Sequence, residues 1–205
     1  MIIAIDGTLA SGKGTLAKRL AAHFSLPHMD TGALYRATGV SALREGVALD
    51  DEQTCAALAS KLDLSLFKDV ELRTAEAGQA ASKVAVLPKV REALFDLQRS
   101  FAFQDGGAVL DGRDIGTVVC PEAPFKFWVD ASVEERASRR CLELEKTGRP
   151  ITHENMVREL KERDERDKGR ANAPMKAADD ALQIDTTNLT PDQVFDLALE
   201  HIKHE

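Results

Sequence analysis

Residues 7–15 read GTLASGKGT, and this stretch decides the fold. It follows the short apolar run IIAI (2–5). After it, Leu16, Leu20 and Phe24 recur at four-residue spacing, as residues do along one face of a helix. The order is therefore strand, glycine-rich loop, helix. A G-x-x-x-x-G-K loop in that setting is the arrangement that cradles phosphate groups.

The loop predicts a site for a nucleoside triphosphate. Glycines let the backbone N–H groups turn inward, the helix N-terminus adds partial positive charge, and Lys13 can reach the terminal phosphates. The loop lacks G-x-G-x-x-G, which argues against a dinucleotide site. The alternative is a tight turn with a solvated lysine. The residues expected to bind the triphosphate are Gly7, Thr8, Leu9, Ala10, Ser11, Gly12, Lys13, Gly14 and Thr15.

The rest of the chain alternates apolar strands with amphipathic helices. Strands are predicted at HMD (28–30), AVLD (108–111), FKFWVD (125–130) and ALQID (181–185), and helices are predicted to begin near residues 31, 51, 88, 132, 152 and 191. Thr31 is expected to cap its helix. Alternating leucines predict a small hairpin over 62–72. The pattern indicates an α/β fold, in which a parallel sheet is covered by helices on both faces.

Composition excludes several classes of protein. The 205 residues carry a net charge of -7, which disfavours a nucleic-acid partner because phosphate-backbone binding needs a basic face. Aromatic residues make up 5%, which argues against an all-β sandwich. Three scattered cysteines suit a reducing compartment without structural zinc. With neither a signal peptide nor a membrane span recognised, we expect a cytoplasmic protein with no membrane partner.

Arginines concentrated late in the chain predict a second anionic ligand. Arg113 and Asp114 follow the strand that ends at Asp111, at the edge where open α/β sheets bind ligands. The alternative for Arg113 is a salt bridge in a structural corner. Two anions held together repel each other, and arginines would offset that repulsion. If the acceptor is itself a phosphate, it is a ready nucleophile and needs no general base.

The helix that starts after Thr152 carries more of this charge. Met156, Leu160, Arg163, Asp167 and Arg170 are spaced to share one helical face. The alternative is a solvated face of ion pairs. On the preceding helix, Arg136, Arg139 and Arg140 suit a mobile cationic flap beside the chain break at Gly148.

Taken together, the motifs resemble bacterial cytidylate kinases along nearly the whole chain. The matching stretches are IDGTLASGKGTLAK, MDTGALYR, AASKVA, VREAL, DGRDIGTVV, DASVEERASRR, ERDERDKGRANAP and ADDALQIDTT. The resemblance implies a P-loop kinase with a five-stranded parallel sheet, forming one nucleoside-monophosphate-kinase-like domain over residues 1–205. It further implies a monophosphate-binding insert at about 50–88, shortened here to one hairpin, and a lid at about 146–155.

The resemblance also implies an activity and a set of site residues. The expected reaction is transfer of the γ-phosphoryl group of ATP, bound with Mg²⁺, to CMP or dCMP by a monomer. Arg36 and Arg113 match ligands of the acceptor phosphate. Positions that read cytosine are matched by Thr31, Arg91, Asp114 and Arg170, and positions near the sugar by Ser82, Arg163 and Asp167. Lys13, Arg113 and Arg163 are the expected catalytic residues, and no resident metal site is expected.

Two rival functions stay open from the residues alone. One is a P-loop kinase of a small hydroxyl compound, which would use Asp114 or Asp30 as a base. The other is a nucleotide-dependent switch module with negligible turnover.

Overall fold

The computed structural model describes residues 1–146 and 148–204, and the predicted lid includes residue 147, which lies outside them. The strands are β1 (Ile2–Gly7), β2 (His28–Asp30), β3 (Ala108–Gly112), β4 (Phe125–Asp130) and β5 (Leu182–Asp185). The helices are α1 (Lys13–Phe24), α2 (Thr31–Arg44), α3 (Glu52–Ala59), α4 (Asp69–Leu72), α5 (Ala75–Val84), α6 (Pro88–Ala102), α7 (Val133–Lys146), α8 (His153–Lys168) and α9 (Pro191–His204). A 3-10 turn spans Leu64–Leu66, and a π-helical turn spans Ile115–Val119.

The strands form one parallel sheet in the order β2-β3-β1-β4-β5. In this register, Asp6 near the end of β1 lies opposite Gly112 on β3 and Trp128 on β4, and Asp30 on β2 lies opposite Asp111. The carboxyl ends of all strands therefore meet at one edge. The strand order reverses at β1, and open α/β sheets bind ligands at such a reversal.

Helices cover both faces of the sheet. On one face, Leu20 of α1 and Ile202 of α9 pack in a buried cluster with Ile5 of β1. On the other face, Ala102 of α6 packs with Leu110 of β3. Every residue of β3 is buried, as expected of a strand covered on both sides. The predicted α/β architecture with a five-stranded parallel sheet is confirmed.

The hairpin predicted over 62–72 is wrong. This segment forms the 3-10 turn and the short helix α4 instead. Asp63 favours the turn because its side chain accepts the backbone N–H of Ser65 at 2.9 Å. Leu62 and Leu64 pack against the buried cluster of α2, α4 and α5. Two of the alternating leucines are therefore partly buried against helices, while Leu66 is exposed.

Two local predictions around the helix ends are also wrong. Thr31 is the first residue of α2 and does not cap it; its hydroxyl donates to the carbonyl of Asp111 at 2.8 Å. Helix α8 ends at Lys168, so Arg170 lies in the loop that follows and not on the helix.

Among the helices that the structure describes, none combines the length and apolar content that crossing a membrane requires.

Candidate active site

The loop between β1 and α1 requires glycine at both ends. At Gly7, a Cβ atom would lie 1.9 Å from the carbonyl oxygen of Val129 on β4. At Gly12, φ is 93°, a left-handed conformation that glycine adopts without steric cost. Helix α1 begins directly afterwards at Lys13. The predicted strand, loop and helix are confirmed.

Lys13 folds back over the loop. Its Nζ donates to the carbonyl of Thr8 at 3.2 Å, and Ser11 Oγ donates to the same carbonyl at 3.0 Å. Burial, reinforced by the positive charge of Arg113, lowers the pKa of Lys13 to about 7. A buried ammonium group in this position is stabilised when an anion binds beside it.

The other side of the loop is contacted by two residues that the sequence analysis did not assign to it. Thr186, which follows β5, donates from Oγ1 to the carbonyl of Ser11 at 2.8 Å. Arg139 of α7 donates to both the hydroxyl and the carbonyl of Thr186, at 3.0 and 2.8 Å. The cavity beside this contact is also lined by Thr15 and Leu189. No local motif reveals this contact, since it joins three distant segments.

The arginines of α7 that suit a mobile cationic flap make side-chain contacts in the structure. Arg136 is buried and donates to both carboxylate oxygens of Asp164 on α8, at 3.3 and 2.7 Å. Arg139 is held by Thr186, and Arg140 pairs with Glu143 at 2.8 Å. Arg136 and Arg139 thus join α7 to α8 and to the residue after β5, whereas the pair of Arg140 and Glu143 lies within α7.

A cleft next to the loop gathers the remaining predicted residues, and we call it the acceptor cleft. Its walls come from the ends of β2 and β3, from α2, α5 and α6, and from α8 with the loop after it. The predicted residues that line it are Lys13, Gly14, Thr31, Arg36, Ser82, Arg91, Arg113, Asp114, Arg163, Asp167 and Arg170. Residues chosen from separate motifs thus share one cavity.

Asp167 lies at the centre of the charges in this cleft and is 1% exposed. Its carboxylate accepts from Arg170 and, at 3.3 Å, from Nε of Arg113, while Nε of Arg163 lies 3.8 Å away. Burial alone would raise the pKa of Asp167, yet these guanidinium groups hold it below its usual range. Burial and the charge of Arg113 lower the pKa of Arg163 to about 10. One carboxylate among three cations leaves positive charge for an anionic ligand.

Arg91 of α6 and Asp114 form a second buried pair in the cleft. Arg91 donates to the Asp114 carboxylate, and its guanidinium carbon lies 5.6 Å from the centre of the Tyr35 ring. Burial raises the pKa of Asp114, although the charges of Arg91 and Arg170 oppose that shift. The pair presents a donor and an acceptor side by side.

Several arginines of the cleft carry buried hydrogen-bond donors. Arg36 donates from Nη2 to Asp30 at 2.7 Å. Among the described side chains, however, the buried Nε atoms of Arg36, Arg163 and Arg170 have no hydrogen-bond acceptor. An unsatisfied buried donor costs about 1–3 kcal/mol, so oxygen atoms of a bound ligand would be strongly favoured here.

Arg166 lies in the cavity next to the acceptor cleft and contacts a cleft residue, and the sequence analysis missed it. Its Nη1 donates to Ser82 Oγ at 2.7 Å, and that hydroxyl lies 3.5 Å from Asp167 Oδ1. Finding it requires knowing that α5 packs against α8. Spacing along α8 alone does not distinguish Arg166 from a solvated arginine.

The sequence that forms this loop and the arginine-lined cleft beside it matches a known family over almost its whole length. A family model described as cytidylate kinase matches residues 3–204. The chain belongs to the cytidylate kinase family. The resemblance stated from the motifs is thereby confirmed, and with it the prediction of a kinase.

Individual relatives agree with this assignment. The cytidylate kinase of Methylocella silvestris is 53% identical over 199 residues, which are 97% of this chain and 92% of the relative. The cytidylate kinase of Xanthobacter autotrophicus is 54% identical over 199 residues, which are 97% and 95% of the two chains. Among solved structures, an uncharacterized protein from Eubacterium ventriosum shares the fold with a TM-score of 0.57 at 15% identity, covering 100% of this chain and 99% of that one.

Proposed function

We propose that this cytidylate kinase family member transfers the γ-phosphoryl group of ATP to CMP or dCMP, giving ADP and CDP or dCDP. The observation that carries the proposal is the acceptor cleft beside the phosphate loop, where guanidinium groups outnumber carboxylates around Asp167. Such a cleft suits a ligand that brings a phosphate, a sugar and a polar base edge together.

The catalytic demand of this reaction is electrostatic. Two unit charges of like sign repel by about 4 kcal/mol at 4 Å with an effective dielectric constant of 20. Lys13, Arg113 and Arg163 are our proposed catalytic residues because their charges converge between the loop and the cleft. The acceptor phosphate, with a second pKa of about 6, attacks as a dianion without a general base.

The proposed contacts with CMP follow from the hydrogen-bonding groups that the cleft side chains present. Arg36 and Arg113 are proposed to hold the CMP phosphate, since the buried Nε of Arg36 lacks an acceptor. Ser82, Arg163 and Asp167 are proposed to contact the sugar.

Cytosine is proposed to be read by Thr31, Arg91, Asp114 and Arg170. Cytosine presents an N4 donor beside its N3 and O2 acceptors. The buried pair of Arg91 and Asp114 offers the complementary acceptor and donor.

The loop residues from Gly7 to Thr15 are proposed to bind ATP, and the cavity lined by Thr15, Arg139 and Leu189 would take its base. Magnesium fits this arrangement, because it binds largely through substrate phosphates and one or two carboxylates. Asp111 would hold it, since its Oδ2 lies 3.7 Å from where a Cβ on Gly14 would stand. When bound, magnesium neutralises charge on the donor phosphates.

Further features of the protein stay proposals. We propose that residues 1–205 act as one domain in a cytoplasmic monomer, with about 50–88 as the acceptor-side insert and about 146–155 as the lid. Light scattering at micromolar concentration tests the monomer, and a dimer mass would contradict it.

A kinase acting on a small hydroxyl compound is less compatible with the site. It needs a free carboxylate as a base, whereas Asp30 pairs with Arg36 and Asp114 pairs with Arg91.

A coupled assay of ADP release tests the proposal. ATP is offered with CMP, dCMP, UMP or AMP, and we expect CMP and dCMP to react well above UMP and then AMP. Equal rates with all four, or no turnover, would overturn it. Asp114→Ala is the selective variant, expected to weaken the preference for CMP over UMP; unchanged selectivity would contradict its reader role.

A further inference from the structure

Asp6, near the end of β1, is a buried carboxylate outside the residues assigned above. It is 3% exposed. Its Oδ1 accepts the backbone N–H of Ile115 and its Oδ2 that of Gly116, both at 2.8 Å. In the part of the chain that the structure describes, no cationic side chain forms a salt bridge with it. Both oxygens of this carboxylate thus accept hydrogen bonds from one short stretch of backbone.

That stretch directly follows two residues of the acceptor cleft, Arg113 and Asp114. The N–H of Ile115 belongs to the peptide group that joins it to Asp114. The carbonyl of the same peptide group accepts from the N–H groups of Val118 and Val119, at 2.9 and 3.1 Å. Since both the N–H and the carbonyl of this peptide group are hydrogen-bonded, its orientation next to Asp114 is set, and Arg113 is the residue that precedes it.

Asp6 is packed close to Gly116 and to the Lys126 side chain. A Cβ on Gly116 would lie 3.2 Å from the Lys126 side chain and 3.5 Å from Asp6 Oδ2. Burial raises the pKa of Asp6 to about 7 even though the two N–H groups oppose that shift. Burial therefore disfavours the charged carboxylate, which is stabilised here by the backbone N–H groups of Ile115 and Gly116.

We propose that Asp6 is a positioning residue that holds Arg113 and Asp114 in the geometry that binds the acceptor nucleotide. It acts through the backbone of 114–116 and does not contact substrate. Because Asp6 also precedes Gly7, it links the strand that carries the donor loop to the segment that carries the acceptor contacts. This inference rests on the proposed function, because it assigns an effect on CMP.

Asp6→Asn tests the inference with little change of shape. An amide keeps one acceptor but turns an NH₂ group toward a backbone N–H, so the 114–116 backbone must shift. We expect KM for CMP to rise roughly tenfold, the scale of a lost charge-assisted hydrogen bond, and the preference for CMP over UMP to fall. KM for ATP should change by less than about twofold, because the loop's own contacts remain.

Ile202→Ala is the matched control for lost stability. Ile202 of α9 is buried in the core and does not line the cleft. Its truncation should therefore lower Tm and leave KM for ATP and KM for CMP unchanged. Equal rises in KM for ATP and CMP in Asp6→Asn, or a lower Tm with both KM values unchanged, would overturn the inference.

A second variant covers the case in which Asp6→Asn fails to fold. Asp6→Ala removes both acceptor oxygens and leaves a smaller side chain with no amide directed at a backbone N–H. It is expected to raise KM for CMP selectively, and an unchanged KM would refute the inference. Turnover of CMP by the wild-type protein distinguishes failure of the proposed function from failure of this inference. If the wild type does not turn over CMP, the proposed function fails. If the wild type turns over CMP and the variants keep its KM for CMP, only the role of Asp6 is refuted.

Discussion

Asp167→Asn removes the central negative charge of the acceptor cleft while keeping the shape of the side chain. Asp167 is 1% exposed and touches the guanidinium groups of Arg113, Arg163 and Arg170. Removing one partner of a buried ion pair costs about 3–5 kcal/mol, because the other charge is left uncompensated. At the lower end, about 3 kcal/mol corresponds to a fall in Tm of about 6–12 °C for a chain of this length.

The assay is thermal unfolding of the ligand-free protein, followed by KM for CMP. Asp192→Asn is the matched control, because Asp192 pairs with Arg19 at 2.7 Å but its side chain is 83% exposed. An exposed pair is worth about 0–1 kcal/mol, so the control should lose less than about 4 °C. KM for CMP should rise in Asp167→Asn alone, because three cleft arginines lose their shared carboxylate. If both variants lose the same small amount of Tm, the reasoning about an undercompensated cation cluster is wrong.

Three further outcomes are expected. Because burial lowers the pKa of Lys13 from 10.5 to about 7, the folded state binds fewer protons between those values and wild-type stability gains as pH rises. Ligand-free Lys13→Met should therefore exceed wild type in Tm most at pH 7 and progressively less toward pH 10; a constant difference contradicts the shift. Arg166→Met should raise KM for CMP several-fold in the wild-type background and leave it unchanged in a Ser82→Ala background. Arg158→Met, on the same helix, is the control and should not change KM. Additive effects on KM in the double variant would argue against coupling through the Ser82 hydroxyl. Gly7→Ala should yield little folded protein, since its Cβ would stand 1.9 Å from a backbone oxygen of β4, and normal Tm would show that the loop can move.

Local pattern was sufficient for the elements that carry the donor loop. Apolar runs, glycines and helical spacing can be read from neighbouring residues, because the period of buried positions differs between strands and helices. For that reason β1, the loop, α1 and the other strands were predicted correctly. The same logic failed over 62–72, because alternating leucines can be buried by helices as well as by a sheet.

The candidate residues of the acceptor cleft came from a family resemblance, and their arrangement came from the fold. Arg113 follows β3, Asp167 lies on α8 and Ser82 lies on α5. Nothing in their spacing along the chain states that they share one cavity. Their meeting depends on β3 pairing beside β1 and on α8 packing over that edge of the sheet.

By itself, the sequence determined the class of fold, the phosphate loop with Lys13 and the family, since each is written in contiguous residues. Only the tertiary structure decided that Asp6 holds the 114–116 backbone and that Arg166 holds Ser82. Contacts of this kind join residues that are far apart along the chain. Their geometry is set by sheet order and helix packing, which no local pattern encodes.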